Sequence, residues 1–326
     1  MQNLKLYLSG LFVCLCIALL TILIHDIYGS PSTLIALLLG IGCHAVYKKQ
    51  QLQKGIDFCS KDLLRFAIML LGLRIAIEDI FQLGLAPVLI TLTSSFITIG
   101  LGLWIARTMK LSSSLGLMGS IAVAICGASA TLAVAASLPP SKKKDKEVIV
   151  IILNMTLLST LSMIFYPLLM HALRTSSFQA GIFLGSSIHD VAQVVGASYT
   201  MGDEVGEVAV FIKLIRIMML APLIMVLSLT HPHKEPQTQK PPLIPFFVIG
   251  FILCIALNSI HILPDSLHTS LVNTSHILIL MALAALGLKI DLAHIIKISP
   301  QPLLFTCYCS LIIALSSLSL IYFFVP

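Results

Sequence analysis

Gly185-Ser186-Ser187-Ile188-His189-Asp190-Val191-Ala192-Gln193-Val194-Val195-Gly196 sets an ionisable pair and an amide inside a run that is otherwise fit for lipid. It has a faint twin. Leu39-Gly40, three residues, then His44-Ala45-Val46 repeats the framework of Leu184-Gly185, three residues, then His189-Asp190-Val191. Two such segments in the two halves of one chain predict a duplicated membrane architecture, with the chemistry in the more polar copy.

The totals point the same way. Of 326 residues, 58% are hydrophobic and 10% charged, with a mean hydropathy of +1.02. Soluble domains carry roughly 25% charged residues, so most of this surface must face lipid, and the fold class is an all-α polytopic membrane protein. The net charge of +6 sits mostly in short loops, where topology accounts for it, and no aromatic-interleaved basic patch suggests nucleic acid. The eight cysteines lie mostly in apolar runs and suggest neither disulfide nor zinc.

Apolar runs at 9–24, 32–47, 62–77, 85–106, 112–137, 148–170, 178–200, 207–229, 243–262, 271–290 and 302–325 predict about eleven spans. With the first helix (9–24) extra, repeat one covers 32–170 and repeat two 178–325 of a single transporter domain, 1–326. Five spans per unit make the repeats inverted. Glycines and polar residues interrupt the runs at 112–137, 178–200 and 271–290, which marks broken helices facing protein or water. Loop cations place the N-terminus inside and the C-terminus outside. One stretch breaks that pattern: Lys142-Lys143-Lys144-Asp145-Lys146-Glu147 would lie outside.

Charges within lipid are expensive, about 2.5–3.5 kcal/mol for a central Arg or Lys. Arg74, Lys213 and Arg216 fall within predicted spans. Lys213 and Arg216 share a helix face, so they call for an anionic counterpart, either Asp190 or a substrate. Snorkelling is the plain alternative for Arg74. His189, Asp190 and Gln193 form one polar sector, suited to a coupling proton at His189 or Asp190 and to substrate at Gln193, or, for Asp190, to a structural pair with Arg216 or Lys213. Gly127 and Ser129 lie in a run of small residues that packs closely or, unwound at Gly127, offers N–H groups to an oxyanion. Asn154 is a buried amide, and Gly287 and Lys289 stand in the tenth run. No serine-hydrolase, zincin or P-loop motif occurs, so an enzyme is not expected, nor a metal or cofactor.

Ser187 to Val195, Lys213-Leu214-Ile215-Arg216, Cys126-Gly127-Ala128-Ser129-Ala130 and Ala285-Leu286-Gly287-Leu288-Lys289 resemble the YeiH-type bacterial inner-membrane proteins, a family assigned to sulfate export. That resemblance implies ten or eleven spans in the cytoplasmic membrane and an architecture similar to the bile-acid symporter and sodium/proton antiporter folds. Two broken helices would then cross at Gly127 and Gly287. The expected activity is secondary transport of a small inorganic or organic anion such as sulfate, with a proton or sodium as coupling ion and a homodimer compatible with the reading. A cation exchanger on the same fold and a non-transporting sensor or assembly partner are the alternatives.

Overall fold

The computed structural model describes residues 2–28, 32–78, 83–139, 141–230, 245–289 and 300–325. The described chain is helical, and six of its helices are long and apolar enough to cross a membrane. Contacts divide it into two compact units, each drawn from both halves of the sequence. The polar, proline-rich stretch 231–242, a solvated linker by its composition, and Lys297, one of the loop cations that set the orientation above, lie outside the described residues.

Unit one comprises Met1–Gly84, Val195–Asp203 and Pro245–Ala293. Its helices are α1 (Gln2–Tyr28), α2 (Ser32–Gly42), α3 (Gln50–Phe58), a π-turn at Cys59–Leu63, α4 (Leu64–Leu71), and later α13 (Phe246–Ser259) and α14 (Asp265–Lys289). Water gives no drive to helix association inside lipid, so close backbone approach must supply it. Glycine allows that approach at two crossings. A Cβ on Gly10 would lie 2.6 Å from the Gly55 Cα, joining α1 to α3, and one on Gly40 would lie 2.9 Å from the Gly287 Cα, joining α2 to α14. Helix α14 runs unbroken through Gly287, so the expected break there is not present; that glycine lets α2 come close.

Unit two comprises Leu85–Val194, Glu204–Ile244 and His294–Pro326. It holds α5 (Ala86–Thr108), α6 (Ser113–Ala124), α7 (Gly127–Ala136), α8 (Lys142–Ala172), α9 (Ser177–Ser187), the start of α10 (Val191–Tyr199), α11 (Asp203–Met218, its first residue in unit one), α12 (Leu220–Thr230) and α15 (Pro300–Phe324).

The run 112–137 is broken as expected, but it does not cross. The Ser112 hydroxyl, which caps α6, donates to Glu147 Oε1 at 2.6 Å, and Ser114 donates to the other carboxylate oxygen. Lys144 Nζ donates to the carbonyls of Ala135 and Leu138, both at 2.9 Å, at the end of α7. Lys144 and Glu147 are one turn apart on α8, roughly 4.5 Å along its axis, whereas a straight helix from Ser113 to Ala136 would be about 36 Å long. The start of α6 and the end of α7 therefore lie side by side. These helices form a re-entrant hairpin with its tip at Ile125-Cys126-Gly127. Residues 142–147 are not a loop on the far side but the first turns of α8, at the same end of the unit as Arg107 and Lys110.

The run 178–200 behaves likewise. Gly181 packs on Val205 and Val208, and Gly185 on Ala209 and Ile212, so α9 and α11 run parallel. The chain leaving α9 at Ser187 must return to the level where α9 began before α11 can start. That makes a second hairpin, with its tip at Ile188-His189-Asp190. The 31-residue α8 joins the two hairpin bases, one at each of its ends, so the hairpins enter from opposite ends of the unit.

Candidate functional site

At the first tip the helix stops because Ile125 and Cys126 leave helical geometry (φ −120°, ψ −80° and φ −153°, ψ 56°) and Gly127 restarts it at φ +42°, a region that favours glycine. At the second tip Ile188 is extended (φ −70°, ψ 140°). Asp190 stands in the N-cap position of α10: its carbonyl accepts the first intrahelical bond, from the Val194 N–H at 3.0 Å, and its own N–H donates to Ser159 Oγ at 3.1 Å. The tips touch, since a Cβ on Gly127 would lie 3.8 Å from the His189 Cβ.

Four half-helix ends thus meet in the middle of unit two. The C-terminal ends of α6 and α9 present carbonyls with no intrahelical partner, the negative ends of two dipoles. Lys213 and Arg216, both fully buried on α11, answer them. Lys213 Nζ donates to Ile125 O (2.9 Å), Ile188 O (2.8 Å) and His189 O (2.7 Å). Arg216 donates to Ala124 O (2.8 Å), Ile188 O (3.0 Å), Gly185 O (3.4 Å) and Val123 O. The anionic counterpart expected for these two cations is therefore the main chain. Asp190 is exposed, and all three ammonium protons of Lys213 are spent on carbonyls, so the pair with Asp190 suggested from the sequence does not form at Lys213.

The N-terminal ends of α7 and α10 are left, positive and rich in N–H groups without helical partners. Polar atoms without partners among the described residues accompany them. Asn154, fully buried, has neither Nδ2 nor Oδ1 engaged, and its neighbour Met155 lies against Gly127. Gln193 Oε1 and His189 Nδ1 are likewise buried and unengaged. Ser310 of α15 donates to Thr306 O at 2.8 Å and so accepts from His189 Nε2, also at 2.8 Å. This assignment, made from the hydrogen-bond network, puts the histidine proton on Nε2 and leaves a lone pair on Nδ1. His189 and Asp190 precede α10, so they occupy a tip and do not share a helix face with Gln193.

The structure brings Gly127, Ser129, Asn154, His189, Asp190, Gln193, Lys213 and Arg216 into unit two, with Ser129 exposed in the first turn of α7. Three other residues fall in unit one. Arg74 pairs with Asp203 at 3.2 Å, Lys289 pairs with Asp57 at 2.7 Å and donates to Ser60 at 3.2 Å, and Gly287 packs on Gly40. Sequence reading missed Ser159, Ser310 and Glu147. A buried serine on an apolar helix usually satisfies its own backbone, as Ser310 does toward Thr306, so it gives no separate signal.

The family described as Conserved hypothetical protein 698 matches residues 9–306. A UPF0324 membrane protein of Rhizobium meliloti is 35% identical over 331 aligned positions, 99% of this chain and 96% of the relative. The chain belongs to the UPF0324 family. This is the YeiH-type family that the His189-Asp190 stretch resembles. Two further UPF0324 membrane proteins are 35% identical: one of Chlorobaculum tepidum over 91% of this chain and 84% of its own, and TauZ of Paracoccus pantotrophus over 89% and 87%. No solved structure matches the chain.

Proposed function

We propose that this UPF0324 protein is a secondary transporter that moves a small anion, such as sulfate, by alternating access. The observation carrying this reading is the meeting of two half-helix N-termini in the unit that also holds the Asn154 amide, Gln193 Oε1 and His189 Nδ1, buried polar atoms with no protein partner among the described residues. Helix N-termini are ready anion sites, and broken segments meeting at mid-membrane are how many transporters build them. The roles suggested from the sequence shift accordingly. Gly127, Ser129 and Gln193 face the anion, while Lys213 and Arg216 act through their field and by fixing the tips. His189 Nδ1 supplies a proton acceptor for coupling, a role that involves no chemical conversion of the substrate.

Asn154→Leu separates the parts. A buried amide with no partner costs about 1–3 kcal/mol, so the leucine variant is expected to unfold at a higher temperature while losing anion flux in proteoliposomes. Flux of sulfate, sulfonates or carboxylates absent from the wild-type protein, with and without a pH gradient, would sink the proposal. A sodium-driven flux that vanishes in Asp190→Asn would favour the cation exchanger instead.

Orientation follows from charge. The end of unit two at the first hairpin base carries Arg107, Lys110, Lys142, Lys143, Lys144 and Lys146; the opposite end carries Arg174 with Glu204 and Glu207. Positive-inside bias makes the first end cytoplasmic. Folding 112–137 back on itself thus brings the lysine-rich stretch 142–146 to the cytoplasmic end and moves Arg174, an inside cation on the eleven-span reading, to the other. On this reading the four apolar runs expected up to residue 106, each taken as a crossing, make the N-terminus cytoplasmic in a bacterial inner membrane. In a background lacking the eight native cysteines, Lys110→Cys and Lys143→Cys should both resist an impermeant thiol reagent applied to whole cells, and Thr175→Cys should react. Opposite labelling of Lys110→Cys and Lys143→Cys would rule out the shared side.

A further inference from the structure

The Lys213 ammonium is held in an unusual way for a buried charge. Its three oxygen partners are all main-chain carbonyls, at 2.7 to 2.9 Å, and they come from both hairpin tips. Carbonyls gathered at the negative ends of two half-helices replace a hydration shell, which is how selectivity filters hold potassium. A carboxylate would have been the ordinary partner for a lysine here, yet the chain builds the surroundings of a hard cation. Arg216 draws in the neighbouring carbonyls of Val123, Ala124 and Gly185 and shares that of Ile188 at 3.0 Å, so the three around Nζ stay aimed at one point.

We propose that the carbonyls of Ile125, Ile188 and His189 form a monovalent-cation site that the chain fills with its own Lys213 ammonium. The tips are thereby joined without a bound alkali metal. Shortening Lys213 vacates the site and makes the joint between the hairpins depend on potassium or sodium from solution. Where the transport reading also holds, assembling the anion site in the wild-type protein requires no sodium.

Thermal unfolding of the purified full-length protein tests this at fixed pH and ionic strength in potassium chloride, sodium chloride and choline chloride, choline being too large for the cage. The wild-type midpoint should be the same in all three salts. The Lys213→Ala midpoint should be lowest in choline and rise with potassium or sodium concentration along the curve expected for one ligand binding the native state. Equal midpoints for Lys213→Ala in all three salts overturn the proposal, as does a wild-type protein stabilised by either alkali ion. Where Lys213→Ala cannot be purified in choline, extraction in potassium chloride should recover it. Failure to recover it in either alkali salt, together with a Lys213→Gln variant indifferent to them, also overturns the proposal. Unfolding reads the cage without any transport, so a negative result leaves the anion transporter standing, and absent flux leaves the cage standing.

Discussion

Arg216→Ala should lower the unfolding free energy by about 3–5 kcal/mol, because it removes a buried charge whose partners cannot turn to water. The guanidinium is fully buried and bonds carbonyls of both hairpins, Val123 and Ala124 from one and Gly185 and Ile188 from the other. Those carbonyls belong to helix ends, so no neighbouring N–H can take the place of the lost donors. Arg216→Lys should recover less than half of the loss, since one ammonium cannot reproduce a planar fork that spans two backbones. Denaturant or thermal unfolding in detergent reads both variants. A wild-type midpoint for Arg216→Ala would show that the tips hold together without it.

Gly287→Val should cost about 1–3 kcal/mol through overpacking. A Cβ there would lie 2.8 Å from both the Gly40 Cα and the Ile41 N, and backbone cannot yield as a flexible side chain does. The same change at Gly40 should cost a similar amount, and the double variant should fall short of the sum, because both strain a single crossing. This outcome also decides between two roles for Gly287. A substrate contact would lose flux with stability unchanged; a packing glycine loses stability first.

Much of the helical framework was legible because lipid forces apolar runs to be long and continuous, and runs such as 85–106 and 302–325 return as α5 and α15 within two residues at each end. The interruptions at Gly127 and at His189-Asp190 were legible too, since polar or left-handed residues inside such runs have few other uses. What the chain does after an interruption was not. A hydropathy window over 112–137 looks the same whether the second half continues or returns; the return is fixed by Lys144 and Glu147, which lie beyond the run. Gly287 misled for a related reason, as glycine serves both a break and a close crossing, and only Gly40 across from it says which. Lys213 and Arg216 announced buried charge correctly, but main-chain carbonyls leave no trace in side-chain identity, so their partners were invisible.

The anchoring of the first hairpin on α8 also bears on how the chain enters the bilayer. Helices α6 and α7 have 12 and 10 residues, each too short to cross alone. Their hydroxyl and carbonyl ends find Glu147 and Lys144 only once α8 has emerged. The seat of the hairpin therefore depends on a helix made after it, so its end contacts form later than the hairpin itself is translated.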